Sequence, residues 1–105
     1  MSTTDFIAEL VRAANEVHKL QGREKRRLLE RAIVTIRDMR EEIGIPSSGT
    51  AMDAVVDIQE TEVLLIRGIA TNELVKASLL DAADMIRTLH IVLDTETRIV
   101  TIDVH

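Results

Sequence analysis

"HIVLDTETRIVTIDVH", residues 90 to 105, admits two conformations, and the fold class turns on which one it takes. The apolar rhythm of the residues before it, Val75, Leu79, Ala82, Ile86 and Leu89, advances by alternating steps of 4 and 3 and extends in phase to Leu93, as a helix would. The same stretch is rich in β-branched residues on both sides of a polar turn, the signature of two strands. Side-chain parity narrows the hairpin. Placing Ile91 and Leu93 on one face with Val100, Ile102 and Val104 requires an even-numbered loop. A two-residue loop wants Asn-Gly or another glycine, which "TETR" lacks, whereas a four-residue loop over 95–98 built around a type I turn needs neither. The expectation is a short C-terminal β-hairpin over about 90–104, its rival being a helix to about Leu93 followed by a single strand. Because an isolated hairpin is marginal in water, it would pack on the helices or pair with the same edge of a second copy.

The preceding residues predict four amphipathic helices over about 4–21, 23–43, 51–67 and 72–89. In the first, Phe6, Leu10, Ala13, Val17 and Leu20 form the stripe, residues 2 to 5 offer N-cap side chains, and Gly22 stands as the terminator. The second carries Leu29, Ala32, Ile36, Met39 and Ile43, and stops at "GIPSSG", where Gly44 permits positive φ and Pro46 lacks an N–H. Thr50 and Asp53 resemble a capping box for the third, whose seam runs Met52, Val56, Gln59, Val63 and Ile66, with Val55, Ile58 and Leu65 beside it. That broad apolar face predicts a central position. Gly68 ends the third helix, and Thr71 or Asn72 caps the fourth. The fold class expected is mainly α: a single four-helix bundle-like domain spanning 1–105, with the hairpin appended, and dimeric.

Composition bounds the function. The chain has 105 residues, 46% hydrophobic and 30% charged, a globular balance with no apolar run long enough for a membrane span. The N-terminal "MSTTDFIAEL" lacks a basic region followed by an apolar run, so the expected location is the cytoplasm, with no membrane partner. Absence of cysteine rules out disulfides, thiolate metal sites and cysteine nucleophiles. Phe6 is the single aromatic residue, which weighs against aromatic-lined pockets and base-stacking platforms. Charge divides unevenly: residues 1 to 50 hold nine Lys/Arg against eight Asp/Glu, and residues 51 to 105 hold four against ten. The acidic half opposes wholesale binding to nucleic acid, and a local basic patch remains.

That patch is Arg23, Lys25, Arg26, Arg27 and Arg31. Cations in the first turn of a helix oppose its dipole, at about 0.3 to 1 kcal/mol each when exposed, so something offsets them. Arg23, Arg27 and Arg31 recur every four residues on one face, suited to phosphates, to an acidic protein, or to the chain's own Asp53, Asp57 and Glu60. Arg26 and Glu30 form an ordinary helix pair, and a solvated or internally paired face explains much of the run.

Just upstream, His18, Lys19, Leu20, Gln21 and Gly22 resemble the His-x-Leu-Lys-Gly signature of histidine phosphotransfer domains, which are acidic four-helix proteins. The resemblance covers five residues and departs at Gln21, where the family has lysine. It implies His18 as a phosphoacceptor, whereas spacing alone makes His18 a boundary residue near a helix C-terminus, where a cation is favoured. A third cluster, His90, Asp94, Glu96, Asp103 and His105, carries metal-ligating chemistry without a recognised ligand spacing, and alternation on the wet face of a hairpin accounts for it; no metal or cofactor is expected. "SSGT" at 47–50 precedes a helix and offers backbone N–H groups to an anion, or serves as a loop and cap. Nucleotide-binding loops, a nucleophile elbow and a zinc-protease motif are all absent from the sequence. The function expected is that of a non-enzymatic, homodimeric protein-interaction module, a regulator, adaptor or assembly factor whose partner meets Arg23, Arg27 and Arg31. A nucleic-acid-associated regulator using the same stripe is the alternative, and phosphotransfer the second.

Overall fold

The computed structural model describes the backbone of residues 2–44 and 53–103 and the side chains of 2–44 and 55–95. The order is α1 (Thr3–Asn15), a 3-10 turn (Val17–Lys19), α2 (Gly22–Ile43), α3 (Asp53–Ile66) and α4 (Asn72–Asp103). Pro46, the 47–50 segment and the Thr50 cap lie outside the described residues.

Local chemistry explains most of the boundaries. Ser2 caps α1, its Oγ accepting from the Asp5 N–H at 3.1 Å. Thr71 does the same for α4 through the Leu74 N–H, also at 3.1 Å. Gly44 closes α2 at φ 87°, donating to the Arg40 and Glu41 carbonyls. Gly68, at φ 75°, ends α3: its N–H donates to Leu65 O while the Ile69 N–H donates to Leu64 O, the paired bonds of a Schellman motif.

Gly22 is different, and the terminator role expected for it is overturned. The α-helical turn already stops at Asn15, Val17 is buried in the 3-10 turn, and the chain passes through extended Leu20 and Gln21. Gly22 therefore opens α2 and has no positive φ.

Two contacts set the topology. Lys25 reaches Asn72 near the starts of α2 and α4, and Arg40 reaches Met85 farther along both, so these helices run parallel. Glu9 with Arg31 shows α1 on the other side of the pair, and Thr61 with Ser78 places α3 against α4. The long α4 packs on α1, α2, α3 and the 3-10 turn; it is the central element, and α3, expected at the centre, lies at the side against α2 and α4. The core contains Leu10, Leu29, Ile36, Ile58, Leu79 and Ile86, each inaccessible to solvent. Ala13, Ala14, Ala82 and Ala83 in that cluster supply small side chains that permit close helix approach.

The C-terminal hairpin is corrected: residues 90 to 103 continue α4. No Gly or Pro follows Gly68 to stop the helix, and β-branched residues reduce helix propensity by only a few tenths of a kcal/mol each. Leu93 keeps contact with the core in phase with Ile86 and Leu89, and Thr95 Oγ1 donates to Ile91 O at 2.9 Å, one helical turn back. The described residues contain no strand. With Arg40 level with Met85, α4 runs about 20 Å beyond the end of α2. Among the described residues, no helix is long and apolar enough to cross a membrane.

Candidate interaction surface

The stripe of α2 arginines divides in the structure. Arg31 is half-buried: its Nη1 donates to Glu9 Oε2 at 3.2 Å, and its guanidinium carbon lies 4.4 Å from the centroid of the Phe6 ring. It is thus engaged with α1, and its partner is Glu9 instead of the Asp57 and Glu60 side of α3. Arg26 Nε donates to Glu30 Oε1 at 3.3 Å, the helix pair expected. Lys25 Nζ donates to Asn72 Oδ1 at 2.7 Å. Arg23 and Arg27 remain exposed, one turn apart, with no ion pair among the described residues. Arg23 stands in the first turn of α2, so its unfavourable interaction with the helix dipole is not offset by a carboxylate partner.

These arginines border a furrow of about 700 Å³ between the start of α2 and the end of α3. Arg23, Arg26 and Arg27 line one side, with Glu30; Leu65 and Ile66 line the other. Sequence periodicity located the arginines but chose the wrong phase for α3. Val55 and Ile58 face the core with Thr61, whereas the expected seam of Val56, Val63 and Ile66 is 41%, 47% and 63% exposed. Val34, at 56%, falls one turn after Glu30 on the same face of α2. Val34, Val56, Val63 and Ile66 are thus apolar side chains that no described residue covers, and of these Ile66 lines the furrow beside the arginines.

Glu62 sits beside this furrow. Burial pushes its carboxyl above the ordinary glutamate range, the Glu30 charge and a hydrogen bond with Glu30 push it further, and Arg26 opposes the shift. Two carboxyls and one guanidinium thus share a site in which the Glu30 charge disfavours ionisation of Glu62. On the opposite flank of α2, a hollow of about 340 Å³ mixes Glu9, Arg12, Glu16, Glu24, Arg27 and Arg31, whose charges largely compensate one another.

The other sequence candidates are scattered. His18 is exposed in the 3-10 turn, outside the helical setting that the phosphotransfer resemblance implies. His90 and Asp94 are exposed one turn apart on α4, and the hairpin, one side of which is expected to bring His90 together with Asp103 and His105, gives way to helix. The side chains of Glu96, Asp103 and His105 lie outside the described residues. Among the described residues, no three His, Cys, Asp or Glu side chains converge as a metal site would require. No protein-family model, curated protein or solved structure matches this chain.

Proposed function

We propose that this protein is a non-enzymatic protein-interaction module, acting as a regulator, adaptor or assembly factor, and that its partner meets the Arg23 and Arg27 face of α2. The observation carrying this reading is the exposure of Val56, Val63 and Ile66 on α3, with Ile66 beside Arg23 and Arg27 in the furrow. Exposed apolar side chains bordered by charge are a feature of association surfaces. Arg31 contributes by holding α1 in place rather than by touching the partner.

In this reading the protein is also a homodimer. Leu80 and Ile91, exposed eleven residues apart on one side of α4, are the apolar surface offered to a second copy. Light scattering is expected to return twice the 11.7 kDa chain mass at micromolar concentration; a monomer mass ends the dimer proposal. For the module itself, affinity capture from the native host is run with wild type and with the Arg23→Glu/Arg27→Glu variant. A specific protein captured by the first and lost with the second is the expected result. Identical captures overturn the arginine assignment, and steeply salt-dependent retention of DNA or RNA that the variant loses would transfer the surface to nucleic acid.

A further inference from the structure

The furrow between α2 and α3 sets an arginine-rich side, with Arg23 and Arg27 one helical turn apart, against an apolar side of Leu65 and Ile66. On the apolar side Ile66 is 63% exposed, and Val63, one turn back on α3, is exposed too. On the rim, Glu30 and the neighbouring Glu62 are both set against Arg26, and Arg23 and Arg27 are cations without an ion pair among the described residues. A second copy presenting the same face would oppose arginine with arginine, so self-association through this furrow is electrostatically unfavourable.

Arg23 and Arg27 are separated by one helical turn. Carboxylates at i and i+4 on an incoming helix have the same separation and can meet both cations at once. Residues at i, i+3, i+4 and i+7 on such a helix present a continuous apolar ridge, the form that a trough between two helices receives. An extended strand would find no sheet edge here among the described residues, and an unstructured acidic tail would leave Val63 and Ile66 wet.

We propose that the occupant of the furrow is an acidic amphipathic helix of another protein, with its apolar ridge on Val63 and Ile66 and its carboxylates on Arg23 and Arg27. The proposal rests on the interaction-module reading and adds the chemistry of the partner. Binding loses affinity as salt rises, because the rim pairs are exposed, while the apolar contact persists.

The test is selection from a display library of random peptides about four helical turns long, panned on the full chain and counter-selected on an Arg23→Glu/Arg27→Glu/Ile66→Asp variant. Enriched sequences are expected to be acidic, with apolar residues at helical spacing. A labelled peptide from that pool should gain helicity on binding and lose ~tenfold or more in affinity with Ile66→Asp alone, and likewise with Arg23→Glu/Arg27→Glu, as for a hot-spot anchor and a paired rim. Ile66 is exposed, so its replacement leaves the core intact; Ala8→Asp, at an exposed position of α1, is the control that should not alter peptide affinity. Enrichment of basic or unpatterned peptides, failure to enrich anything, or unchanged affinity in Ile66→Asp overturns the proposal. So does displacement of the bound peptide by phosphatidylserine vesicles or duplex DNA with equal dependence on Ile66. Should the host protein captured through Arg23 and Arg27 bind Ile66→Asp normally, the module reading stands and the helical occupant falls. If no host protein is captured by wild type while acidic helical peptides are selected, the furrow stands and the adaptor role falls.

Discussion

The hydroxyl oxygens of Thr61 and Ser78 stand 2.7 Å apart between α3 and α4, within a core that is otherwise almost wholly apolar. Thr61 Oγ1 also donates to Asp57 O at 3.1 Å, which makes Ser78 the donor of the shared bond. Each hydroxyl is thereby satisfied, and the bond specifies a register for α3 that apolar contacts alone would define less sharply. Thr61→Val strands the Ser78 hydroxyl and should cost about 1 to 3 kcal/mol in urea denaturation. Adding Ser78→Ala should recover part of that loss. Strict additivity of the two substitutions would show that the hydroxyls are not coupled.

Two arginines of one stripe, Arg31 and Arg23, should respond oppositely to mutation. Arg31→Ala removes the Glu9 ion pair and the contact with Phe6, and a loss of about 1 kcal/mol is expected. Arg23→Glu replaces a cation by an anion at the positive end of α2, so it should stabilise the fold by about 0.3 to 1 kcal/mol while weakening partner binding. Thermal or urea unfolding of the two variants checks the signs. A stabilised, binding-deficient Arg23→Glu protein would mark Arg23 as retained for association at the expense of stability.

Glu62 sets a pH dependence. Its proton is held more tightly in the folded chain than in the unfolded one, because burial and Glu30 disfavour the carboxylate. Stability from this group therefore falls as pH rises from the ordinary glutamate range through the raised value, and the full penalty is present above it. Glu62→Gln should be more stable than wild type at neutral pH by a few tenths of a kcal/mol, the scale of a like-charge contact on a helix surface. The difference should vanish below the ordinary glutamate range, where wild-type Glu62 is protonated in both states. Paired urea titrations at neutral and acid pH read it; a variant less stable at neutral pH would contradict the assignment.

Two glycines with opposite roles provide a backbone test. Gly68 has φ 75° and open space around it, so Gly68→Ala introduces strain without a clash and should cost about 1 kcal/mol. Gly22 opens α2 with no positive φ and also has open space, so Gly22→Ala should stabilise by about 0.4 to 1 kcal/mol through a less disordered unfolded chain. If Gly22→Ala destabilised the protein as much as Gly68→Ala, Gly22 would be serving as a helix terminator after all.

The seams of α1, α2 and the first part of α4 were legible as apolar letters every three or four residues, and their residues are buried almost throughout. The Ser2 and Thr71 caps, the stops at Gly44 and Gly68, and the Arg26–Glu30 pair were legible too, because each is decided within about one turn of chain. α3 was not. It carries two apolar stripes, Val55 with Ile58 and Leu65, and Val56 with Val63 and Ile66, and periodicity ranks them alike.

Local interactions therefore establish where helices start, where most of them stop and which residue types each face presents. Long-range packing decides the rest: that α4 is central and continues to Asp103, that α3 turns Val55 and Ile58 inward, and that Phe6 and Glu9 take Arg31 out of the basic stripe. The physical reason is that burial and ion pairing depend on which distant surface arrives opposite a residue. Arg23, Arg27 and Arg31 occupy the same sequence pattern; only the arrival of α1 beside the last of them makes it a structural residue and leaves the first two facing solvent.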